Sequence, residues 1–154
     1  KCEIFNAFPT APKMPGAQEL LDQITADQLT RVVVTGSGQA SLLDRLTRHY
    51  PGVFAPERIV SSMDVKHGKP NPEPYLMGLE KAGVQPWEAI VVENAPLGVR
   101  AGVAAGIFTI AVNTGPLPES ALLDEGAHLL FPSMQALAEA WQQLRLLFGL
   151  APQD

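Results

Sequence analysis

Short β-branched runs alternate along this chain with longer segments of helical spacing, and this alternation is what most constrains the fold. The clearest run is Ala89–Glu93, and residues 31–35 form a second. Between such runs, apolar residues recur three or four positions apart, which is typical of helices that bury one face. Strands and helices in alternation form right-handed βαβ units. We therefore predict an α/β fold with three Rossmann-like layers, a mainly parallel sheet with helices on both faces.

The same patterns place the remaining elements. Further strands are predicted at residues 59–61, 108–112 and 129–131. Helices are predicted at residues 17–24, 42–50, 75–82, 96–105 and 134–148. Ser133 precedes the last helix and is a suitable N-cap. The carboxyl ends of parallel strands share one edge of a sheet, where α/β proteins bind their ligands, so the residues that follow these strands are the candidates for a site.

Composition limits the class of protein. The 154 residues suit a single domain, and 46% hydrophobic with 18% charged residues is typical of globular proteins. The net charge of −5 disfavours a nucleic acid or an anionic membrane as partner. Apolar runs stay well below the ~20 residues of a membrane span, and Cys2 is the only cysteine. We therefore expect a cytoplasmic protein without disulfides.

A polar turn with two glycines follows residues 31–34. In Thr35-Gly36-Ser37 and the next glycine, successive backbone N–H groups can point at one anion, and the following helix adds positive potential. The Thr35 hydroxyl could donate to a phosphate oxygen. Ordinary helix capping also explains such residues. The turn further matches half of a dinucleotide-binding fingerprint, but the third glycine of that fingerprint is missing.

Lys69 lies in a loop stiffened by prolines. It stands between Gly68 and Pro70, and Pro72 and Pro74 follow at every second position. Proline fixes its own φ angle and restricts the residue before it, so the loop has little freedom. A rigid mount suits a point charge aimed at a phosphate group. The alternative is a proline-rich connection whose lysine is simply exposed.

Glu93 and Asn94 close the clearest strand. Carboxylate and amide oxygens are ligands for hard cations, and Mg²⁺ accepts one or two such side chains together with waters and substrate oxygens. Asn94 could instead cap the helix that begins near Pro96. Glu93 has no such alternative, because a carboxylate at the end of an Ile and Val run is costly to bury unless it is paired or faces a metal.

These three segments, in this order, resemble the motifs of the haloacid dehalogenase-like hydrolases, and among them the beta-phosphoglucomutase-like phosphatases and phosphomutases. Residues 35–37 are similar to the second motif, residues 68–73 (GKPNPE) to the third and residues 93–99 (ENAPLGV) to the fourth. Residues 14–21 look like the start of the core that follows the family's cap. The resemblance covers residues 13–131 and implies a partial haloacid dehalogenase-like core.

The resemblance also implies a role for each candidate residue. The turn Thr35-Gly36-Ser37 would bind phosphate, and Lys69 would neutralise the phosphate and the nucleophile, so Thr35 and Lys69 are the catalytic candidates. Glu93 and Asn94 would help to hold Mg²⁺. The implied reaction is Mg²⁺-dependent phosphoryl transfer from a small phosphorylated metabolite through an aspartyl-phosphate, and a sugar phosphate is the expected class.

Two features depart from the family pattern. The family's nucleophile is an aspartate in an Asp-x-Asp motif on a central strand, and no Asp-x-Asp occurs here. The helical cap is missing as well, so residues 1–12 look like the tail of the cap region and a linker, with residues 1–8 as the end of a helix. Residues 13–154 look like a partial core of a longer protein. The second departure is Asn94, often aspartate in the family, which should weaken Mg²⁺ binding.

Loss of the central strand would leave residues 31–35 and 89–93 with unpaired backbone groups, unless these strands close on each other or recruit a partner. We therefore expect the chain alone to be catalytically inactive, and marginally folded or associating. A phosphatase is favoured for the longer protein. A phosphomutase and a non-catalytic phosphate- or anion-binding domain are the alternatives, and the sequence leaves the substrate and the oligomeric state open.

Overall fold

A computed structural model describes residues 3–6, 16–36, 44, 48, 56–115 and 117–150. Within this part, the strands are β1 (Glu3–Asn6), β2 (Arg31–Val34), β3 (Ile59–Val60), β4 (Ala89–Glu93), β5 (Phe108–Val112) and β6 (Leu129–Phe131). Their order across one sheet is β3-β2-β1-β4-β5-β6, and all neighbouring strands are parallel. The predicted α/β class with a parallel sheet is confirmed.

The helices of the described part are α1 (Ala17–Ala26), α2 (Glu73–Ala82), α3 (Pro96–Ala104), α4 (Glu119–Leu123) and α5 (Met134–Leu147). Short 3-10 turns at Pro56–Arg58 and Pro86–Glu88 lead into β3 and β4. Ser133 Oγ accepts the Ala136 N–H at 3.0 Å, so it caps α5 as predicted. None of these helices is long and apolar enough to cross a membrane.

The helix predicted at residues 42–50 is described at two positions. Asp44 and Arg48 are both helical, and they form an exposed ion pair one turn apart. The other residues of that prediction lie outside the described part, as do Ser37 and the glycine after it.

Alternate residues of the strands face opposite layers, as expected for a pleated backbone. On one face, Val33 and Val92 belong to a core cluster with α1 and α5, in which Trp141 is the largest fully buried side chain. On the other face, Val34 and Val91 pack in a second cluster with α2 and α3. The sheet therefore lies between two helical layers, and both layers help to fix its carboxyl edge.

The centre of the sheet is occupied by β1. Asn6 lies between Val33 of β2 and Val92 of β4, and the strand pairs with both neighbours. The expectation of a helical tail at residues 1–8 is therefore wrong for residues 3–6. The reason is backbone hydrogen bonding, because β2 and β4 would otherwise present unpaired N–H and C=O groups in the middle of the sheet. The division between residues 1–12 and 13–154 stays a prediction, since residues 7–15 lie outside the described part.

Helices α1 and α5 contact each other at both ends of α1. At the start of α1, a Cβ on Gly16 would lie 2.3 Å from the Gln135 backbone nitrogen, so only glycine fits this approach. At the other end of α1, Asp27 accepts the Trp141 Nε1–H at 2.9 Å and pairs with Arg145. The Asp27 and Arg145 side chains are both buried. These contacts fix the helical layer on the opposite side of the sheet from α2 and α3.

Candidate functional site

Two buried polar residues mark the carboxyl ends of β2 and β4. Thr35 follows β2 directly and Glu93 ends β4, and each is only 2% exposed. The Thr35 N–H donates to the Val60 backbone oxygen at 2.9 Å, which ties the end of β2 to β3. An ionised carboxylate at this depth requires partners. Glu93 therefore needs donors from neighbouring residues.

Lys69 supplies the first partner and joins the two strand ends. Its Nζ donates to Glu93 Oε2 and to the Val34 backbone oxygen, each at 3.1 Å. Only 14% of the Lys69 side chain is exposed. The alternative of a simply exposed lysine is therefore wrong. Lys69 thus contacts both Glu93 and Val34, the residue directly before Thr35. The three segments singled out by sequence therefore lie at one edge of the sheet.

The loop that carries Lys69 is fixed by hydrogen bonds of its own. The Asn71 N–H donates to the Gly68 backbone oxygen at 3.0 Å, which closes a turn around Lys69. Asn71 Oδ1 in turn accepts the Glu73 N–H at 2.9 Å, at the first residue of α2. Glu73 also accepts the His67 N–H at 3.2 Å. These bonds add to the stiffness that the prolines provide.

Tyr75 is a second partner of Glu93. It belongs to the first turn of α2, it is fully buried, and its hydroxyl donates to Glu93 Oε2, the same oxygen that Lys69 contacts. The centre of its ring lies 5.1 Å from Lys69 Nζ. Burial, with the negative charge of Glu93 and the hydrogen bond to it, raises the pKa of the Tyr75 hydroxyl well above 10. The hydroxyl therefore remains a neutral donor throughout the neutral pH range.

Sequence reasoning missed Tyr75. The residue sits at helical spacing with apolar neighbours, so the pattern indicated a core residue and nothing more. A signal was present, because a buried tyrosine hydroxyl needs a hydrogen-bond partner. The sequence does not say which residue that partner is.

Gly98 encloses the Glu93 carboxylate from a third direction. A Cβ at Gly98 would lie 2.1 Å from Glu93 Cδ, which is far inside van der Waals contact. The start of α3 therefore packs directly on the carboxylate, and no residue larger than glycine fits without moving it. This contact explains why position 98, five residues after Glu93, holds a glycine.

The Asn94 side chain binds the segment that follows β5. Its Nδ2 donates to Thr114 Oγ1 at 3.1 Å, across the edge to the segment after β5. The N-cap of α3 is Ala95, which makes no side-chain capping bond. The alternative that Asn94 caps this helix is therefore wrong. Because the Asn94 nitrogen points at Thr114, the oxygen of the same amide group points away from Thr114.

Gly36 is exposed, and a Cβ at that position would meet open space. Nothing in the described part of the chain therefore fills the volume beside this residue. The Thr35 N–H donates to Val60, so this N–H is not available to a phosphate.

A Mg²⁺ ion takes one or two carboxylates together with waters and substrate oxygens. Glu93 Oε2 already accepts from Lys69 and Tyr75, and Asn94 offers a neutral amide oxygen. Among the described residues, no group of three or more His, Cys, Asp or Glu side chains could hold a metal ion. Glu93 and Asn94 therefore do not make a Mg²⁺ site by themselves, and they remain candidates for part of one.

The sequence profile of the haloacid dehalogenase-like hydrolases matches residues 3–112. The chain belongs to this family. Hexitol phosphatase A of Escherichia coli is 40% identical over 100 residues, which are 65% of this chain and 45% of that protein. Validoxylamine A 7'-phosphate phosphatase of Streptomyces hygroscopicus is 33% identical over 119 residues, 73% of this chain and 55% of that protein. The chain thus spans about half the length of the curated relatives it matches.

Solved structures agree with the haloacid dehalogenase-like assignment. A candidate beta-phosphoglucomutase from Bacteroides vulgatus superposes with a TM-score of 0.84 at 57% identity, covering 90% of this chain and 57% of that one. A second, from Thermotoga maritima, gives a TM-score of 0.77 at 30% identity and covers 84% of this chain and 60% of that one. Membership of this family removes the dinucleotide-binding alternative for the turn at Gly36.

Proposed function

We propose that this chain forms the phosphate-binding part of a phosphatase that acts on a small phosphorylated metabolite, with a sugar phosphate as the substrate class. The observation that carries the proposal is the position of Lys69, which is held by Glu93 and the Val34 backbone oxygen next to Thr35. The phosphatase names of the curated relatives support the same reaction class.

The geometry of Lys69 suggests how it would act. A lysine ammonium has three N–H donors, and two of them go to Glu93 and to Val34. Among the described residues no acceptor is found for the third, and we propose that it donates to a phosphate oxygen. Because the other two bonds fix the nitrogen before a ligand arrives, the charge needs little reorganisation on binding, which is the condition for strong electrostatic stabilisation of a transferred phosphoryl group.

The turn at the end of β2 would bind the same phosphate group. We propose that the Thr35 hydroxyl and the backbone N–H groups of Gly36 and Ser37 donate to its oxygens. Within the described part of the chain, a Cβ at Gly36 would meet nothing within 4 Å, which supports the approach of a ligand to the backbone there.

The chemical step needs a nucleophile that this edge lacks in the described residues. The central strand β1 ends at Asn6, and an amide does not form an aspartyl-phosphate. We therefore propose that the chain alone is inactive, and that an aspartate from outside the described residues would have to take the position that Asn6 holds at the end of the central strand. Mg²⁺ is part of the proposal for the longer protein only, where further carboxylates would complete the set begun by Glu93 and Asn94, and the ion would offset phosphate charge.

Two alternatives have support of their own. A phosphomutase is favoured by the likeness to candidate beta-phosphoglucomutases. A non-catalytic anion-binding domain is favoured by Asn6, because a sheet whose central strand ends without a nucleophile could still hold phosphate. Phosphate release or transfer by the longer protein separates these alternatives from the phosphatase.

Calorimetric titration with inorganic phosphate tests the proposal. We expect saturable binding by the chain and loss of that binding in Lys69→Ala. Lys81→Ala is the matched control. Lys81 also donates to a backbone carbonyl, but this is the carbonyl of Ile59, the first residue of β3, at 2.9 Å. Equal binding by the Lys69→Ala and wild-type chains, or no saturable binding by wild type, overturns the proposal.

A further inference from the structure

The Tyr75 hydroxyl donates to a carboxylate that already has a cationic partner. Phenylalanine would fill the same fully buried position equally well if packing were the only requirement. The hydroxyl instead donates to Glu93 Oε2, the oxygen that accepts from Lys69 Nζ at 3.1 Å. The ring also faces the ammonium group at 5.1 Å. Tyr75 therefore contacts both members of the pair.

We propose that Tyr75 is a positioning residue for Lys69, acting through Glu93; this inference rests on the proposed phosphate-binding function. Among the described residues, three contacts fix the carboxylate: the Tyr75 hydroxyl, the Lys69 ammonium and the close approach of Gly98. With the Tyr75 bond removed, the carboxylate keeps one donor on Oε2 and gains freedom to rotate. The Lys69 nitrogen, which is tied to that oxygen, then loses its fixed direction.

The shared oxygen also affects how strongly Lys69 attracts an anion. A hydrogen bond from a neutral hydroxyl stabilises the carboxylate and takes up part of its negative charge. Less of that charge is then available to neutralise the ammonium. Tyr75 thereby leaves Lys69 both better oriented and more positive toward a phosphate oxygen. The cation lies over the ring face as well, an arrangement that is attractive in itself.

Two other described groups at this edge donate to residues other than Glu93. Asn94 donates to Thr114, and the Thr35 N–H donates to Val60. Within the described residues, Tyr75 and Lys69 are the side chains with recorded hydrogen bonds to Glu93. The inference thus concerns one hydroxyl group, and it can be tested by removing that group alone.

The test compares Tyr75→Phe with Trp141→Phe by phosphate titration. Each variant loses one buried hydrogen bond to a carboxylate, but the Trp141 bond goes to Asp27 in the other helical layer. We expect Tyr75→Phe to weaken phosphate binding about tenfold and Trp141→Phe to leave it unchanged, the usual scale for coupled neighbours against distant sites. Equal effects of both variants overturn the inference, because both would then act through stability.

A double-mutant cycle shows whether Tyr75 acts through Lys69. Weak residual binding in Lys69→Gln should be insensitive to the further change Tyr75→Phe. Additive losses overturn the inference. The cycle also separates the two proposals: a Lys69 variant with normal binding defeats the proposed function, whereas defective Lys69 variants with a normal Tyr75→Phe defeat only the role of Tyr75.

A spectroscopic measurement keeps the inference testable if a variant folds poorly. In protein with ¹⁵N-labelled lysine, an ammonium held by two fixed acceptors exchanges its protons slowly enough to give a distinct Nζ signal. We expect this Lys69 signal in wild type and in a chain with 3-fluorotyrosine at position 75, which keeps the hydroxyl donor, and its loss in Tyr75→Phe. A Lys69 signal identical in all three chains overturns the inference.

Discussion

Lys69 Nζ lies 3.1 Å from Glu93 Oε2, and this contact joins the proline-rich loop before α2 to the end of β4. Both side chains are largely buried. A buried pair of this kind is a weak source of net stability, but the loss of one partner leaves the other charge uncompensated. Predictions about this edge of the sheet therefore depend on which partner is removed.

Glu93→Ala should lower the free energy of unfolding by about 3 kcal/mol, because Lys69 and Tyr75 would then be left with unmet donors in a buried environment. Urea unfolding measures the change. Glu125→Ala is the control, since it breaks a more exposed carboxylate pair with Arg100, and its effect should be much smaller. Similar losses in both variants would show that Glu93 is not held as described.

Gly98→Ala should destabilise the chain by about 1–3 kcal/mol, the usual cost of overpacking. The new Cβ would lie 2.1 Å from Glu93 Cδ and must displace the carboxylate. Gly115→Ala provides the comparison, because a Cβ there meets none of the described atoms within 4 Å. Urea unfolding of the two variants side by side checks this. A Gly98 variant as stable as the Gly115 variant contradicts the close packing of α3 on Glu93.

The stability of the chain should fall at alkaline pH because of Tyr75. Its pKa in the folded chain lies well above 10, so the folded state keeps this proton at pH values where the unfolded chain releases it. The associated stability is fully present below about pH 10 and declines as the pH rises above that value. Urea unfolding from pH 8 to 11 should therefore show a steeper loss in wild type than in Tyr75→Phe. Parallel curves would mean that the tyrosine is not buried against a negative charge.

Asn94→Asp should give the isolated chain a weak Mg²⁺ affinity that the wild-type chain lacks, because it adds a second carboxylate at the edge where Glu93 lies. Calorimetry with MgCl₂ measures the effect. Asn71→Asp adds the same charge at an exposed loop position and should leave Mg²⁺ affinity unchanged. If both variants gain equally, the effect is one of net charge, and the assignment of Asn94 to a partial metal site fails.

Local patterns in the sequence were sufficient for most of the fold. Ala89–Glu93 is predicted as a strand because it begins with four consecutive apolar residues, and the structure has a strand with these bounds that is buried throughout. The small-residue helix predicted at 96–105 is found as Pro96–Ala104. α4, at Glu119–Leu123, was not predicted, because five residues are too few to show a helical period.

Features that depend on distant residues were harder to predict. β1 is only four residues long, and it is extended because two other strands need a partner between them, which no local pattern expresses. The Tyr75 hydroxyl was missed for a similar reason, since its acceptor lies 18 positions further along the chain. By contrast, Lys69 and Glu93 could be singled out from sequence because each stands out against its own neighbours: a cation between prolines, and a carboxylate after an apolar run.

Chemical-shift mapping with inorganic phosphate on the ¹⁵N-labelled chain tests the central claim most directly. Binding at the carboxyl edge of the sheet should move the amide signals of Gly36 and Thr35 and the Nζ signal of Lys69 together, with a single saturation curve. A cavity of about 730 Å³ at the opposite edge is lined partly by Trp87 and Phe148. The amide signals of its lining residues should not shift. Shifts confined to that cavity, or signals at Gly36 and Lys69 that do not respond to phosphate, would contradict the account.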